Sequence, residues 1–253
     1  MEINDIIRPE NKVYSKPELL EEVHMHYCPG CSHGVIHKLV AEVVAELGLT
    51  DRTVGVSPVG CAVFAYNYID VDWVEAAHGR APAVATAVSR LWPDNVVFTY
   101  QGDGDMSAIG TAESIHAANR GENIVMIFVN NAIYGMTGGQ MAPTTLVGMK
   151  ASTAPRGRDP KEHGYPMHMC EILNQLTAPA YLVRTSCNTP ANVNKTKQAI
   201  RKAFQNQLDG KGFSMVEIVT SCPTNWGVDA LKALDFIEEK MLPEFPLGVI
   251  RDR

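Results

Sequence analysis

The residues in this sequence best equipped for chemistry are a glycine–acid run, Gly102-Asp103-Gly104-Asp105, an amide pair, Asn130-Asn131, and six cysteines at positions 28, 31, 61, 170, 187 and 222. The glycines let backbone come close to a phosphate, and a helix starting behind them offers unpaired N–H groups and a partly positive end. Two carboxylates beside a phosphate repel it unless a cation intervenes. Mg²⁺, which takes one or two carboxylates plus phosphate oxygens, suits that place. Asn131 follows Asp103 by 28 residues, room for one helix and one strand. Two neighbouring strand ends would then set Asp103 and Asn131 side by side, sharing one metal ion with a loop carbonyl at Ile133. Without the amide pair, the run at 102–105 is equally well a polar turn.

The cysteines divide by context. Cys28 and Cys31, in Tyr27-Cys28-Pro29-Gly30-Cys31, form a pair that serves a redox dithiol, half a zinc site or half an iron–sulfur site. A thioredoxin-like dithiol would follow a strand in a small domain, whereas this pair precedes every strand-like run. Cys61, in Pro58-Val59-Gly60-Cys61-Ala62, and Cys222, in Ser221-Cys222-Pro223, each follow a strand-like run, which places both at one edge of a sheet. Four thiolates suit an iron–sulfur cluster and structural zinc alike. Cys170 and Cys187 lack a comparable context and read as small buried residues.

The elements that would position these groups alternate along the chain. Apolar residues at three- and four-residue spacing predict a helix over 33–48, with Gly48 as its stop. Strand-like runs follow at 53–57 and 73–77, then an alanine-rich helix over 81–91. The continuous apolar runs at 96–101 and 124–130 predict fully buried strands, with a helix over 107–120 between them. Later come helices over 169–175 and 190–208 and strands at 180–185 and 213–219, the last clear strand. Strands separated by helices predict an α/β fold with a doubly wound, mostly parallel sheet. One domain over 1–253 is expected, with an N-terminal cysteine-bearing segment and a C-terminal tail. Residues 132–167 form a long loop of the kind that is functional or covers a partner. The tail after Cys222 is polar, then amphipathic, and is expected to be available for packing on another chain.

Composition narrows the function. The chain has 253 residues, 45% hydrophobic and 20% charged, enough for a core without disulfide staples. A net charge of −6 argues against non-specific nucleic-acid binding. No apolar run reaches the roughly 20 residues that span a bilayer, and residues 1–14 lack the apolar stretch of a signal peptide. The expected location is the cytoplasm, where cysteines serve as metal ligands or free thiols more often than as disulfides.

The glycine–acid run followed by the amide pair resembles the thiamine diphosphate fingerprint. The continuation Asn131-Ala132-Ile133-Tyr134-Gly135-Met136-Thr137-Gly138-Gly139-Gln140, with Pro143-Thr144-Thr145 behind it, is similar specifically to the 2-oxoacid:ferredoxin oxidoreductases. The resemblance runs over residues 24–225. It implies Mg²⁺ ligation by Asp103, Asn131 and the Ile133 carbonyl, and diphosphate contacts from Gly104, Asp105, Gly135 and Met136. It also places Gly60, Cys61, Ala62, Gly102 and the His78-Gly79-Arg80 segment on the cofactor side. Cys28, Cys31, Cys61 and Cys222 are implied as ligands of one [4Fe–4S] cluster, which would take electrons singly from the strongly reducing product of decarboxylation. No carboxylate here has the context of the one that activates the cofactor's pyrimidine ring. In the family that glutamate lies on an α subunit, and the cofactor sits at the interface, so a partner subunit (α, with γ or δ in some members), ferredoxin, coenzyme A and a 2-oxoacid are implied. In Ala62-Val63-Phe64-Ala65-Tyr66, after Cys61, members favouring 2-oxoglutarate tend to carry a basic residue. Phe64 and Met136 instead offer apolar surface, which favours a branched-chain oxoacid such as 2-oxoisovalerate and leaves 2-oxoglutarate, indolepyruvate and pyruvate open. Two other readings remain: a non-redox thiamine-dependent decarboxylase or synthase, and a zinc-stabilised binding module.

Overall fold

The computed structural model describes residues 8–253. Residues 1–7, part of the segment read as lacking a signal stretch, lie outside the described residues. Seven strands build one sheet in the order β2-β1-β3-β4-β6-β5-β7. They are β1 (Thr53–Ser57), β2 (Asp72–Glu75), β3 (Val96–Gly102), β4 (Val125–Asn130), β5 (Tyr181–Ser186), β6 (Ser214–Val219) and β7 (Gly248–Asp252). All neighbours pair in parallel except β5 and β7, which run antiparallel. The α-helices of six residues or more among the described residues are α1 (His33–Glu46), α2 (Ala81–Leu91), α3 (Thr111–Arg120), α4 (Met169–Asn174), α5 (Pro190–Leu208) and α6 (Ala230–Phe236).

The central strands are buried on both faces, which is why their apolar runs are unbroken. Along β4 the side chains still alternate. Val125, Ile127 and Val129 join Ile36 and Leu39 of α1 and Phe204 of α5 on one face. Met126 and Phe128 join Ala85 of α2, Ala117 of α3 and Met169 of α4 on the other. Local chemistry sets the helix limits. Pro190 opens α5 behind Thr189, whose Oγ1 accepts from the Asn192 N–H at 3.2 Å. Gly121 closes α3 at φ +64°. No helix among the described residues is long and apolar enough to cross a membrane.

The structure departs from expectation in four places. The helix expected from 107 begins as a π-helical turn, Asp105–Ile109, and becomes α-helical only at Thr111. Gly110, at the junction, sits under the Gly79 carbonyl, where an added Cβ would come within 2.7 Å of that oxygen, so only glycine fits there. A seventh strand, β7, follows the run at 213–219. It is an edge strand with no buried residue, and so lacks the apolar signature of the others. The C-terminal tail packs on its own chain: Ile237, Met241 and Phe245 are fully buried against Ala132, Leu146 and Val219. Finally, the loop over 132–167 is pinned from within. The buried Arg158 guanidinium donates to the carbonyls of Pro143 (2.7 Å), Thr145 (2.7 Å), Gly164 (2.8 Å) and Tyr165 (2.6 Å).

Candidate active site

Parallel pairing places Gly102 opposite Val129, so the chain leaves β3 and β4 at the same edge and carries Asp103 and Asn131 out together. The two side chains meet at one donor. The Ile133 N–H points at Asp103 Oδ2 (3.1 Å) and at Asn131 Oδ1 (3.2 Å). Asp103 also accepts from Thr144 Oγ1 (2.7 Å) and the Gly104 N–H (2.9 Å). Burial pushes its carboxyl up to about 6, against the pull of these hydrogen bonds. An adjacent cation is what would hold such a buried carboxylate ionised. Ala132, between Asn131 and Ile133, takes φ +59°, a conformation that strains a residue bearing a Cβ by roughly 1–2 kcal/mol. Thr145 Oγ1, at 2.5 Å from the Ala132 carbonyl, and Asn130 Oδ1, accepting from the Ala132 N–H at 3.2 Å, hold it there. Strain of this kind collects where a turn must aim groups at a ligand.

These residues line a cavity whose wall includes Gly60, Cys61, Ala62, His78, Gly102, Gly104, Asp105, Gly135 and Met136 along with Asp103, Asn131 and Ile133. Of the residues expected on the cofactor side, all but Gly79 and Arg80 line this one surface. The glycines keep it open. A Cβ added at Gly60 or Gly102 would meet nothing within 4 Å, so backbone faces free space at both. At Gly104 an added Cβ would fall 2.1 Å from the Tyr134 ring, whose hydroxyl donates to the Gly104 carbonyl at 3.0 Å. The donor set and the open glycine backbone fit a magnesium-bound diphosphate. The Asp105 carboxylate faces other work. It accepts from the Gly79 N–H (2.6 Å) and Gln101 Nε2 (2.6 Å) and contacts His78 Nδ1 (2.5 Å), and thereby holds the 78–79 turn against the strand ends.

A second cavity, of about 200 Å³, shares Cys61, Asn131, Gly135, Met136 and His33 with the first. Cys28, Cys31, Cys61 and Cys222 all line it. Gly135 is the floor between them, where an added Cβ would stand 3.2 Å from Cys61 Sγ and 3.5 Å from Cys222 Sγ. Burial, and then the neighbouring thiols, push Cys61 up to about 12; burial pushes Cys31 up to about 11. Cys31 and Cys61 so placed keep their protons at neutral pH unless a metal centre replaces them. Among the described residues no three His, Cys, Asp or Glu side chains close around a single ion position. The thiols surround a volume instead, which fits a multi-atom group. Cys170 and Cys187 lie elsewhere and are buried.

The turn bearing Cys28 and Cys31 is clamped to the Cys222 segment. Ser221 Oγ donates to the Gly30 carbonyl at 2.7 Å, and Gly30, at φ +79°, faces Ala230 so closely that an added Cβ would lie 2.5 Å from that methyl. Gly30→Ala should thus push this turn off α6. The expected result is a chain that stays folded and holds less than half the wild-type metal; wild-type metal content at unchanged stability would contradict the clamp.

Sequence reasoning missed several contributors. Thr144 and Tyr134 appeared within the motif, without roles. Asn225 and Trp226 carried no signal beyond following Cys222. Trp226 Nε1 donates to the Asn131 carbonyl at 3.1 Å, and Asn225 Nδ2 donates to the Gly135 carbonyl at 2.9 Å. His33, buried, stacks on Tyr27 and pairs its Nδ1 with the Tyr100 hydroxyl at 2.8 Å. Burial lowers His33 to about 3, so it lines both cavities as a neutral ring. Phe64 packs against His26 and Tyr66 and is not among the residues lining either cavity, so of the two apolar residues only Met136 faces the site. A larger cavity of about 440 Å³ lies beside the β5–β7 edge and includes none of the expected site residues.

Residues 58–218 match the thiamine pyrophosphate enzyme C-terminal TPP-binding domain. The chain is 52% identical over 252 residues to ketoisovalerate oxidoreductase subunit VorA of Methanothermobacter marburgensis, covering 96% of this chain and 53% of that protein. It therefore spans about half the length of that relative. It is 34% identical to 2-oxoglutarate synthase subunit KorB of Archaeoglobus fulgidus, covering 92% of this chain and 82% of that one. Among solved structures, a 2-oxoglutarate:ferredoxin oxidoreductase from Magnetococcus marinus, with 2-oxoglutarate, coenzyme A and succinyl-CoA bound, superposes with TM-score 0.78 at 26% identity, over 94% of this chain and 85% of that one.

Proposed function

This chain belongs to the thiamine-diphosphate-binding β subunits of the 2-oxoacid:ferredoxin oxidoreductases, and on that premise we propose that it converts a branched-chain 2-oxoacid, such as 2-oxoisovalerate, and coenzyme A to acyl-CoA and CO₂ with a partner subunit, passing the electrons to ferredoxin. The observation that carries the reading is the shared wall: the Asp103–Asn131 cradle and the four-thiol cavity have Cys61, Gly135 and Met136 in common. Thiamine diphosphate supplies the nucleophilic carbon that removes CO₂ from a 2-oxoacid, and a [4Fe–4S] cluster accepts electrons one at a time.

The chain's own residues do the holding. Asp103, Asn131 and the Ile133 carbonyl bind Mg²⁺; Gly102, Gly104 and Gly135 let backbone approach the diphosphate; Cys28, Cys31, Cys61 and Cys222 hold the cluster. Asp105 keeps the His78 turn in place. The cradle offers about 90 Å³ in this chain, against the roughly 300–1,000 Å³ of an enclosed ligand site, which leaves a second wall to a partner subunit. The branched-chain preference rests on the 52% identity to a ketoisovalerate oxidoreductase subunit and on Met136, which gives the cradle wall an apolar side chain.

The test is anaerobic co-purification with the partner subunit, followed by iron, sulfide, zinc and thiamine analysis and acyl-CoA assays over a panel of oxoacids. Iron with sulfide, and 2-oxoisovalerate as the fastest substrate, are expected; the single chain should turn over nothing. Thiamine without iron would indicate a non-redox decarboxylase, and zinc without thiamine a binding module. A fastest rate with 2-oxoglutarate would overturn the substrate assignment alone.

A further inference from the structure

The segment after Cys222 does more than end a strand. Residues Pro223–Trp226 form a single helical turn on which two neighbouring side chains grip the loop after β4. Trp226 takes the Asn131 carbonyl, and Asn225 takes the Gly135 carbonyl. Asn225 has a second contact. The same amide nitrogen, Nδ2, lies 3.2 Å from Cys222 Sγ. A primary amide carries two N–H bonds, so one nitrogen can satisfy both acceptors at once. Its oxygen is turned toward the loop, where a Cβ added at Gly139 would meet Asn225 Oδ1 at 3.0 Å. The amide nitrogen is thus held between a sulfur of one cavity and the backbone floor of the other.

We infer that Asn225 is a positioning residue that ties the Cys222 sulfur to the Gly135 loop and sets the reduction potential of the iron–sulfur cluster. This rests on reading the four-thiol cavity as a cluster site. Reduction adds negative charge to a cluster and its thiolates, and an N–H aimed at sulfur stabilises the more negative state. Removing that donor therefore makes the cluster harder to reduce. Only the strengthening of this bond on reduction moves the potential; a strengthening of about 1.4 kcal/mol is tenfold in the one-electron equilibrium, or 59 mV. Asp at this position keeps the shape, loses the donor and adds a negative charge, so its shift should exceed that of Ala. A residue needed only for packing would produce the reverse order, since Asp preserves volume and Ala does not.

The experiment uses the anaerobically purified complex with its partner subunit, carrying Asn225→Ala or Asn225→Asp. Potentials are read by redox titration of the electron paramagnetic resonance signal of the iron-loaded fraction, with melting temperatures measured alongside. The expected result is a potential more negative by about tenfold in the equilibrium for Asn225→Ala and by more for Asn225→Asp. Iron present and both potentials within error of wild type would overturn the inference while leaving the cluster reading intact. A shift in Ala without one in Asp would also overturn it, as a packing effect. A wild-type complex without iron overturns the cluster reading and this inference with it.

Discussion

Replacing Asp103 with alanine should weaken binding of magnesium thiamine diphosphate to the assembled complex by on the order of 100-fold or more. Asp103 is the only ionisable group among the three expected protein ligands, and it is 2% exposed. Its loss removes a charged contact worth about 3 kcal/mol, which converts to that factor. It also strands two donors, the Thr144 hydroxyl and the Gly104 N–H, that now end on its oxygens, and leaves the Ile133 N–H to Asn131 alone. Asp103→Asn separates the two effects. It keeps the shape and one acceptor but drops the charge, so it should match alanine in cofactor affinity while staying nearer to wild type in melting temperature. Calorimetric titration of the complex with thiamine diphosphate and Mg²⁺ checks this, and an Asp103→Asn complex binding at wild-type affinity would remove Asp103 from the metal site.

Glu217→Ala should lower stability by about 3–5 kcal/mol, because it leaves a buried guanidinium short of its partner. Glu217 is fully buried on β6 and Arg184 is 1% exposed on β5, with Nε 2.9 Å from Glu217 Oε2. The remaining guanidinium nitrogens reach Glu171 of α4 at 2.8 and 2.6 Å, a carboxylate that solvent screens in part. The other Glu217 oxygen accepts from Asn130 Nδ2 at 2.8 Å. The substitution thus strands a donor on the residue that precedes Asn131. Replacing the pair together, Arg184→Met with Glu217→Leu, should recover most of the loss, since apolar side chains of similar volume replace buried ion pairs at little net change. Urea denaturation of the wild type and the two variants measures both values. A single-variant loss below about 1 kcal/mol would show that the pair contributes little.

Much of the site was legible in the sequence because it depends on strand ends. Continuous apolar runs identify the buried strands, and parallel strands joined by right-handed crossovers must all deliver their C-terminal ends to one edge. Asp103 and Asn131 follow such strands directly, and Cys61 and Cys222 follow theirs within four residues, so their gathering follows from topology. The glycines at 102 and 104 are legible for the same reason: they sit where β3 ends at that edge.

What the tertiary structure alone decided are the contacts that no local period encodes. Thr144 reaches Asp103 across 41 residues, and Ser221 reaches Gly30 across 191. Arg158 pins a loop through carbonyls, which every residue type possesses and no pattern marks. The amphipathic tail shows which of its faces is apolar, and only the cavity left by Ala132, Leu146 and Val219 decides that the face is covered by its own chain. Periodicity reports how a segment divides between water and core. Which core receives it, and which distant hydrogen-bond partner its polar atoms find, is settled by packing in three dimensions.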